Sequence, residues 1–513
     1  MLGRIPALTL DQAHREALAE GTLGGITLFR ENACDLKQLA ALTGEIINAS
    51  YHSPILAVDQ EGGAVQRFDQ VLSPLPSPMA LAALDNCPGN DLVIETITGI
   101  SCRQLKRLGI NMLLAPTLDL QTNAKNPIIC TRAYGDDGEK VTSIGSRVVA
   151  AIAAQGLVAV AKHFPGHGSC AEDSHLQLAL VDKSEASLLA SDVVPFAKLA
   201  HQLKAILIGH IWMPQLVQNE CPATLSQTIV TGLLRQKLGF NGLIVSDDMI
   251  MKAITQGFGL GEACVQAVLA GVDLLLVCGT IEESMEAVEA IAQATECGRV
   301  SQERLDQAAG KIDALIKTKP TYLDAGSEVE LLRFSQAIDL DSLVSRNCSA
   351  RAIAILRGSM DQQTITCLTT AKRVTVIAPA HPRYPIALAA DLRLLLADAV
   401  AISDIRYAVN PGPQDQGHVL QEMEESDIVI YLTYRSAINI GQVDLGRSLL
   451  TAIKTPSRLI HVACDSPYDL AQFEGLDIST SLASFDASCQ AMSALATVLV
   501  GAVRAVGKCP VKL

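Results

Sequence analysis

Several signatures are missing from this 513-residue chain, and each absence removes a class of protein. No two of its fourteen cysteines have the C-x-x-C spacing, so neither a zinc knuckle nor a redox motif is present. Scattered thiols in a chain rich in Ala, Leu and Ile read as small buried hydrophobes kept reduced. No G-x-G-x-x-G follows an early apolar run, which argues against a dinucleotide-binding fold. The opening residues, MLGRIPALTLDQA, lack a basic segment followed by an apolar one, and no run of about 18 apolar residues occurs anywhere. A cytoplasmic location without membrane insertion is the expectation. A net charge of −14 leaves little basic surface for nucleic acid or an anionic membrane.

What is present is a repeating pattern. Apolar runs at Gly24–Phe29, Pro54–Asp59, Asn111–Pro116, Val158–Lys162, Ala205–His210, Gly242–Asp247 and Asp273–Val277 alternate with segments long enough for crossover helices. The runs are continuously apolar rather than alternating, as parallel strands buried on both faces require. Such βα repetition over the first part of the chain predicts a (β/α)8 TIM-like barrel. The eighth strand falls to Ile5–Leu10, abbreviated, or else the barrel is imperfectly closed. Helical stretches follow to Ile316, and the Lys/Thr/Pro punctuation at 317–322 reads as an exit. We expect a barrel over 1–318, a linker over 319–348, and a smaller α/β sandwich over 349–513. The latter has candidate strands at Arg351–Leu356, Val374–Ala378, Ile428–Leu432 and Leu459–Ala463. His461 and Asp465, at the end of the last of these, read as structural.

Polar residues gather at the C-terminal ends of the first set of runs: Asp59-Gln60-Glu61-Gly62-Gly63, Asp119, Lys162-His163, His210 and Asp247-Asp248. In a parallel barrel those ends share one rim, where groups from different strands meet. The richest stretch is Lys162-His163-Phe164-Pro165-Gly166-His167-Gly168, followed by Asp173-Ser174-His175. Five of the ten histidines lie between His163 and His210, and Asp173 stands two residues before His175, near enough for a carboxylate to orient an imidazole. Alternating side-chain direction along a strand would aim Asp248 away from Asp247.

These strings resemble the family 3 glycoside hydrolases, and within them the chain is similar to bacterial β-N-acetylglucosaminidases, marked by KHFPGHG with D-S-H shortly after. The resemblance runs over roughly residues 20 to 310 and more loosely beyond. It implies a retaining exo-hydrolase that releases terminal β-linked N-acetylglucosamine from a carbohydrate such as a peptidoglycan fragment. It assigns Asp247 as nucleophile, the His175–Asp173 dyad as acid/base, and Asp59, Arg67, Arg132, Lys162, His163 and His210 as sugar-binding. No metal or organic cofactor is implied. Glu172, which is outside the motif, is a competing acid. A β-glucosidase or a phosphorylase of the same family is the alternative, and a non-catalytic sugar-binding barrel is a distant one.

Overall fold

A computed structural model describes residues 1–513 apart from 172–177, 256, 382–385, 398, 424–425 and 454–458. Eight parallel strands close into a barrel: β1 Leu2–Gly3, β2 Gly25–Leu28, β3 Ile55–Val58, β4 Met112–Leu113, β5 Val158–Phe164, β6 Ala205–Ile208, β7 Leu243–Asp248 and β8 Leu274–Leu276. Each strand pairs with its neighbour in chain order, and β1 closes the ring by pairing with both β2 and β8 (Leu2 with Gly25 and with Leu276). The first strand is therefore not Ile5–Leu10. Pro6 lacks an N–H for a ladder, and the Asn32 amide donates to the carbonyls of Ile5 and Ala7 at 2.7 and 2.8 Å, fixing that stretch as a loop.

The seven other runs are apolar throughout because successive side chains enter different cores. Ile55, Ala57, Val158, Val160, Leu243 and Val245 fill the barrel. Leu56, Val58, Ala159, Ala161 and Ile244 face the surrounding helices. Every one of these side chains is at least nine-tenths buried.

A second sheet has six strands: β9 Ala354–Arg357, β10 Arg373–Pro379, β11 Ala401–Tyr407, β12 Ile428–Thr433, β13 Leu459–Ala463 and β14 Thr480–Ala483. Their order is β9-β14-β13-β12-β10-β11, antiparallel only between β9 and β14, with a packed core on each face. Two of these strands lack a readable pattern. Edge strand β11 is AISDIRY, partly exposed and polar, and β14 is only four residues long.

Between the sheets, most of the stretch read as a linker is helix, Glu328–Ala352, started by the Ser327 side chain accepting from the Glu330 N–H. Phe334 and Ile338 pack inward, and Arg107–Glu330 and Arg103–Asp341 pairs tie the helix to Val93–Arg107 of the barrel. The second unit also touches the barrel rim directly. Ser77 Oγ donates to the Phe485 carbonyl at 2.7 Å, and Tyr468 Oη to the Gln121 carbonyl at 3.0 Å.

Candidate active site

A cavity of about 610 Å³ opens at the C-terminal end of the barrel strands. Its lining includes Asp59, Arg67, Arg132, Lys162, His163 and Asp247, six residues that the sequence brings forward, spread over nearly 190 positions. Each is placed by a recognisable local device.

The Asp59–Gly63 string turns at once into a tight hairpin, Gln60–Gly62 against Val65–Gln66. Gln60 Oε1 accepts from the Arg67 N–H at 2.9 Å, and a Cβ on Gly63 would lie 2.5 Å from that of Ser77. This folding returns Arg67 onto Asp59, Nη2 to Oδ2 at 3.1 Å. Lys162 Nζ bridges Asp59 Oδ1 at 2.5 Å and Glu61 Oε1 at 2.6 Å. Arg132 grips Glu61 with two parallel bonds, Nε to Oε2 at 3.0 Å and Nη2 to Oε1 at 2.9 Å. Burial alone would raise both carboxyls, but the cations prevail. Arg132 and Lys162 hold Glu61 down to about 2, and Lys162 and Arg67 hold Asp59 well below the usual carboxylate range.

His163 receives the Arg132 Nη2–H on Nε2 at 3.2 Å, so its proton sits on Nδ1, which donates to Asp119 Oδ2 at 2.6 Å. Asp119 is fully buried, accepts the N–H groups of His163 and His167 as well, and lies below its ordinary pKa because, against the pull of burial, the two histidines favour its charged form. His167 lines the cavity too, and burial lowers it to about 4. The motif's last glycine has a steric reason: a Cβ on Gly168 would stand 1.6 Å from the Leu120 carbonyl oxygen.

Neighbouring residues enter one cavity twice, where strict alternation would separate them. The register of β5 against β6 shifts between Ala161 and Phe164, which turns both Lys162 and His163 inward. The register of β7 against β8 likewise shifts between Val245 and Asp248. Asp248 therefore lines the cavity beside Asp247 rather than pointing away, a correction to strand alternation. Burial, with the adjacent Asp247 carboxylate, raises Asp248 to about 6 against N–H bonds from Cys278 and Ile250.

His210 is a second correction, since it is not among the lining residues. It is fully buried, with Nδ1 on Thr224 Oγ1 at 2.8 Å and Nε2 on the Asp248 carbonyl at 3.0 Å, behind the end of β7. Asp173, His175 and the competing Glu172 lie outside the described residues. Among the described residues no group of three His, Cys, Asp or Glu side chains is arranged to hold a metal ion.

The far wall carries no signal in the sequence. His381, Tyr434 and Arg435, from loops of the second sheet, complete the lining. Arg435 has a left-handed φ of 50°, uncommon without glycine. Its Nε bonds Asp465 at 2.5 Å and its Nη1 the Pro127 carbonyl at 2.5 Å. Asp465 in turn accepts from Thr131 Oγ1 at 3.1 Å and Cys130 Sγ at 3.4 Å. Asp465 is thus structural, but it supports the loop that carries Arg132. No local pattern announces a residue 303 positions from Arg132.

Comparison with known proteins adds an independent line. The model of the glycosyl hydrolase family 3 N-terminal domain matches residues 3–315. Beta-hexosaminidase from Tolumonas auensis is 36% identical over 271 residues, 52% of this chain and 79% of that protein. Beta-hexosaminidase A from Pseudoalteromonas piscicida is 31% identical over 340 residues, 62% of this chain but only 56% of that longer protein. Among solved structures, a family 3 β-N-acetylglucosaminidase from Paenibacillus sp. str. FPU-7 superposes with a TM-score of 0.87 at 29% identity, over 100% of this chain and 97% of that one.

Proposed function

The chain belongs to glycosyl hydrolase family 3, and from that premise we propose that it is a retaining exo-glycosidase that removes terminal β-linked N-acetylglucosamine. The observation that carries this reading is the cavity itself: Asp247 opens onto a ring of Asp59, Arg67, Arg132, Lys162 and His163, in which the cations keep Asp59 and Glu61 ionised. Ionised carboxylates beside fixed N–H donors form the environment that sugar hydroxyls need, since each hydroxyl both donates and accepts. The beta-hexosaminidase and β-N-acetylglucosaminidase names of the relatives favour an N-acetylated sugar.

In this reading Asp247 attacks the anomeric carbon and forms a covalent glycosyl ester, while His175, oriented by Asp173, gives its proton to the departing oxygen. His175 then takes a proton from water, which opens the ester with net retention. The rigid ring holds the sugar so that the nucleophile needs little reorganisation. The natural substrate we assign is a peptidoglycan-derived fragment met in the cytoplasm. No helix among the described residues is long and apolar enough to cross a membrane.

Hydrolysis of aryl N-acetylglucosaminide against aryl glucoside, with and without phosphate, tests the substrate and the acceptor together. Faster turnover of the N-acetylated substrate, indifferent to phosphate, is the expected result. A glucoside preference would make the enzyme a glucosidase, and a sugar phosphate product would make it a phosphorylase. The dyad is tested by leaving group. His175→Ala should lose roughly 10²- to 10⁴-fold in kcat/KM on a disaccharide but far less on a nitrophenyl glycoside, whose aryloxide departs with little help. Equal losses on both would remove His175 as the acid and turn attention to Glu172.

A further inference from the structure

We propose that the outer face of the helix Glu328–Ala352 joins two copies of this chain, paired antiparallel about Gln336. The inner face of that helix is occupied by Phe334, Ile338 and the ion pairs to the barrel. Opposite to it, Val329, Leu332, Leu340 and Leu343 stand 60–67% exposed, and Val344 43%. Single exposed leucines need no explanation, but two apolar clusters on one face along about four turns of one helix, with Gln336 between them, form an interaction surface.

The stripe identifies its partner by its own symmetry. Val329, Leu332, Gln336, Leu340 and Leu343 follow at intervals of 3, 4, 4 and 3, so the pattern reads identically in both directions from Gln336. At about 100° per residue all five fall within about 40° of one line. A two-fold axis at Gln336 therefore sets Val329 against the partner's Leu343 and Leu332 against the partner's Leu340, each contact made twice, as a self-complementary interface demands. Gln336 meets its own copy, a polar group at the axis that fixes the register as buried polar residues do in coiled coils.

The charges agree with this pairing. Glu328 and Arg346 are exposed and make no ion pair within the chain among the described residues. Both lie about 80° to the same side of the stripe, at about 12 and 15 Å from the axis in opposite directions along the helix. The antiparallel two-fold keeps that side and reverses direction, so each Glu328 arrives beside the partner's Arg346. Arg333 and Asp339 flank the stripe on opposite sides and meet their own copies about 9 Å apart along the axis, beyond direct contact. A single helix pair sits near the lower bound of about 1,000 Å² for specific association, so the dimer should be a reversible, concentration-dependent one.

Sedimentation equilibrium of the full chain should show a monomer–dimer equilibrium. The double substitution Leu332→Glu, Leu340→Glu should weaken it at least about 100-fold. Turnover of an aryl glycoside should stay within about two-fold, since neither residue lines the cavity. Glu328→Arg should weaken the dimer, and adding Arg346→Glu should restore it. Gln336→Cys should oxidise to a linked dimer in excess of the unmodified chain, whereas Val329→Cys should not, because its two copies are about 21 Å apart. A chain that is monomeric at every concentration overturns the proposal. So does a dimer that survives the double substitution, or cysteines at 329 and 336 that link equally. If the double variant fails to fold, the two cysteine variants decide the matter.

Discussion

The two sheets end alike and are charged differently. At the C-terminal ends of the barrel strands, Asp59, Glu61 and Asp119 are drawn down by Lys162, Arg67, Arg132 and the histidines, although burial pulls the other way. At the corresponding ends of the second sheet, Asp469 and Asp486 are buried just as deeply and stand near 7. Asp469 accepts the Thr433 hydroxyl and the Ser436 N–H, both at 2.7 Å, and Asp486 accepts the N–H and hydroxyl of Ser488 and the Ala487 N–H. Dipoles without a cation do not offset the desolvation of a carboxylate. The difference teaches that burial alone does not set a carboxylate's charge; the cations gathered around it do.

The strongest way to sharpen this contrast is to remove one carboxylate from each region. Asp247→Asn should lower kcat on an activated aryl glycoside by on the order of 10⁴-fold or more, because the neighbouring Asp248, raised by burial and tied by N–H bonds from Cys278 and Ile250, is a poorer nucleophile. Asp469→Asn should leave kcat within about two-fold, since Asp469 does not line the cavity, and Asn keeps the shape, its Oδ1 accepting the Ser436 N–H and its amide donating to the Thr433 hydroxyl. A comparable loss in both would erase the distinction.

The contrast can also be broken from the barrel side. Arg132→Met leaves Glu61 with Lys162 and the Thr117 hydroxyl, and taking one partner from a buried pair costs about 3–5 kcal/mol. The melting temperature should fall, KM should rise, and Glu61→Gln added to Arg132→Met should recover part of the stability. A double variant no more stable than the single one would show that Glu61 is not the group left uncompensated.

Acid and alkali should then separate the regions. Glu61, lowered from its ordinary 4.5 to about 2, contributes stability that is present above 4.5 and lost as pH falls through about 2. Asp469, raised from 3.8 to about 7, contributes stability that is full below 3.8 and lost as pH rises through about 7. Relative to the unaltered chain, Glu61→Gln should lose its disadvantage in acid, and Asp469→Asn should gain from pH 4 to 8, each by about 2–4 kcal/mol at most. Parallel melting curves across that range would contradict the assigned charge states.

The smallest effect is expected from reductant, which should move neither region. All fourteen cysteines are free, and burial raises the Cys102 and Cys264 thiols to about 12. Mass spectrometry of the chain unfolded and alkylated without reductant should count fourteen modified thiols, and a disulfide mass would contradict it.

Much of the barrel is legible in the sequence because strands buried on both faces must be apolar at every position, and seven such runs stand out. Leu2–Gly3 escapes because it is two residues long, and its strand character comes from its neighbours Gly25 and Leu276. The site is legible wherever a strand's last residues carry its chemistry, as at Asp59, Lys162-His163 and Asp247. It fails at Asp248, where a register shift overrides alternation, and at His210, whose strand-end position leads behind β7 instead of into the cavity. Glu61, Asp119 and His167 sit within or beside quoted motifs, yet their partners become visible only when strands meet. Tyr434 and Arg435 carry no signal at all, since a loop on another sheet is brought to the rim by tertiary packing.

That last joint bears on how such proteins can be recombined. Arg435, Asp465, Thr131 and Cys130 interlock across the boundary between the two units, on the loop that presents Arg132 to the cavity. A chimera cut in the apparent gap near residue 320, taking its second half from another source, would keep every barrel motif and still inherit a foreign brace for Arg132. The transferable module is therefore not the barrel but the barrel with the 434–435 and 465 loops, and a graft that respects sequence boundaries would divide the lining of the cavity between donors.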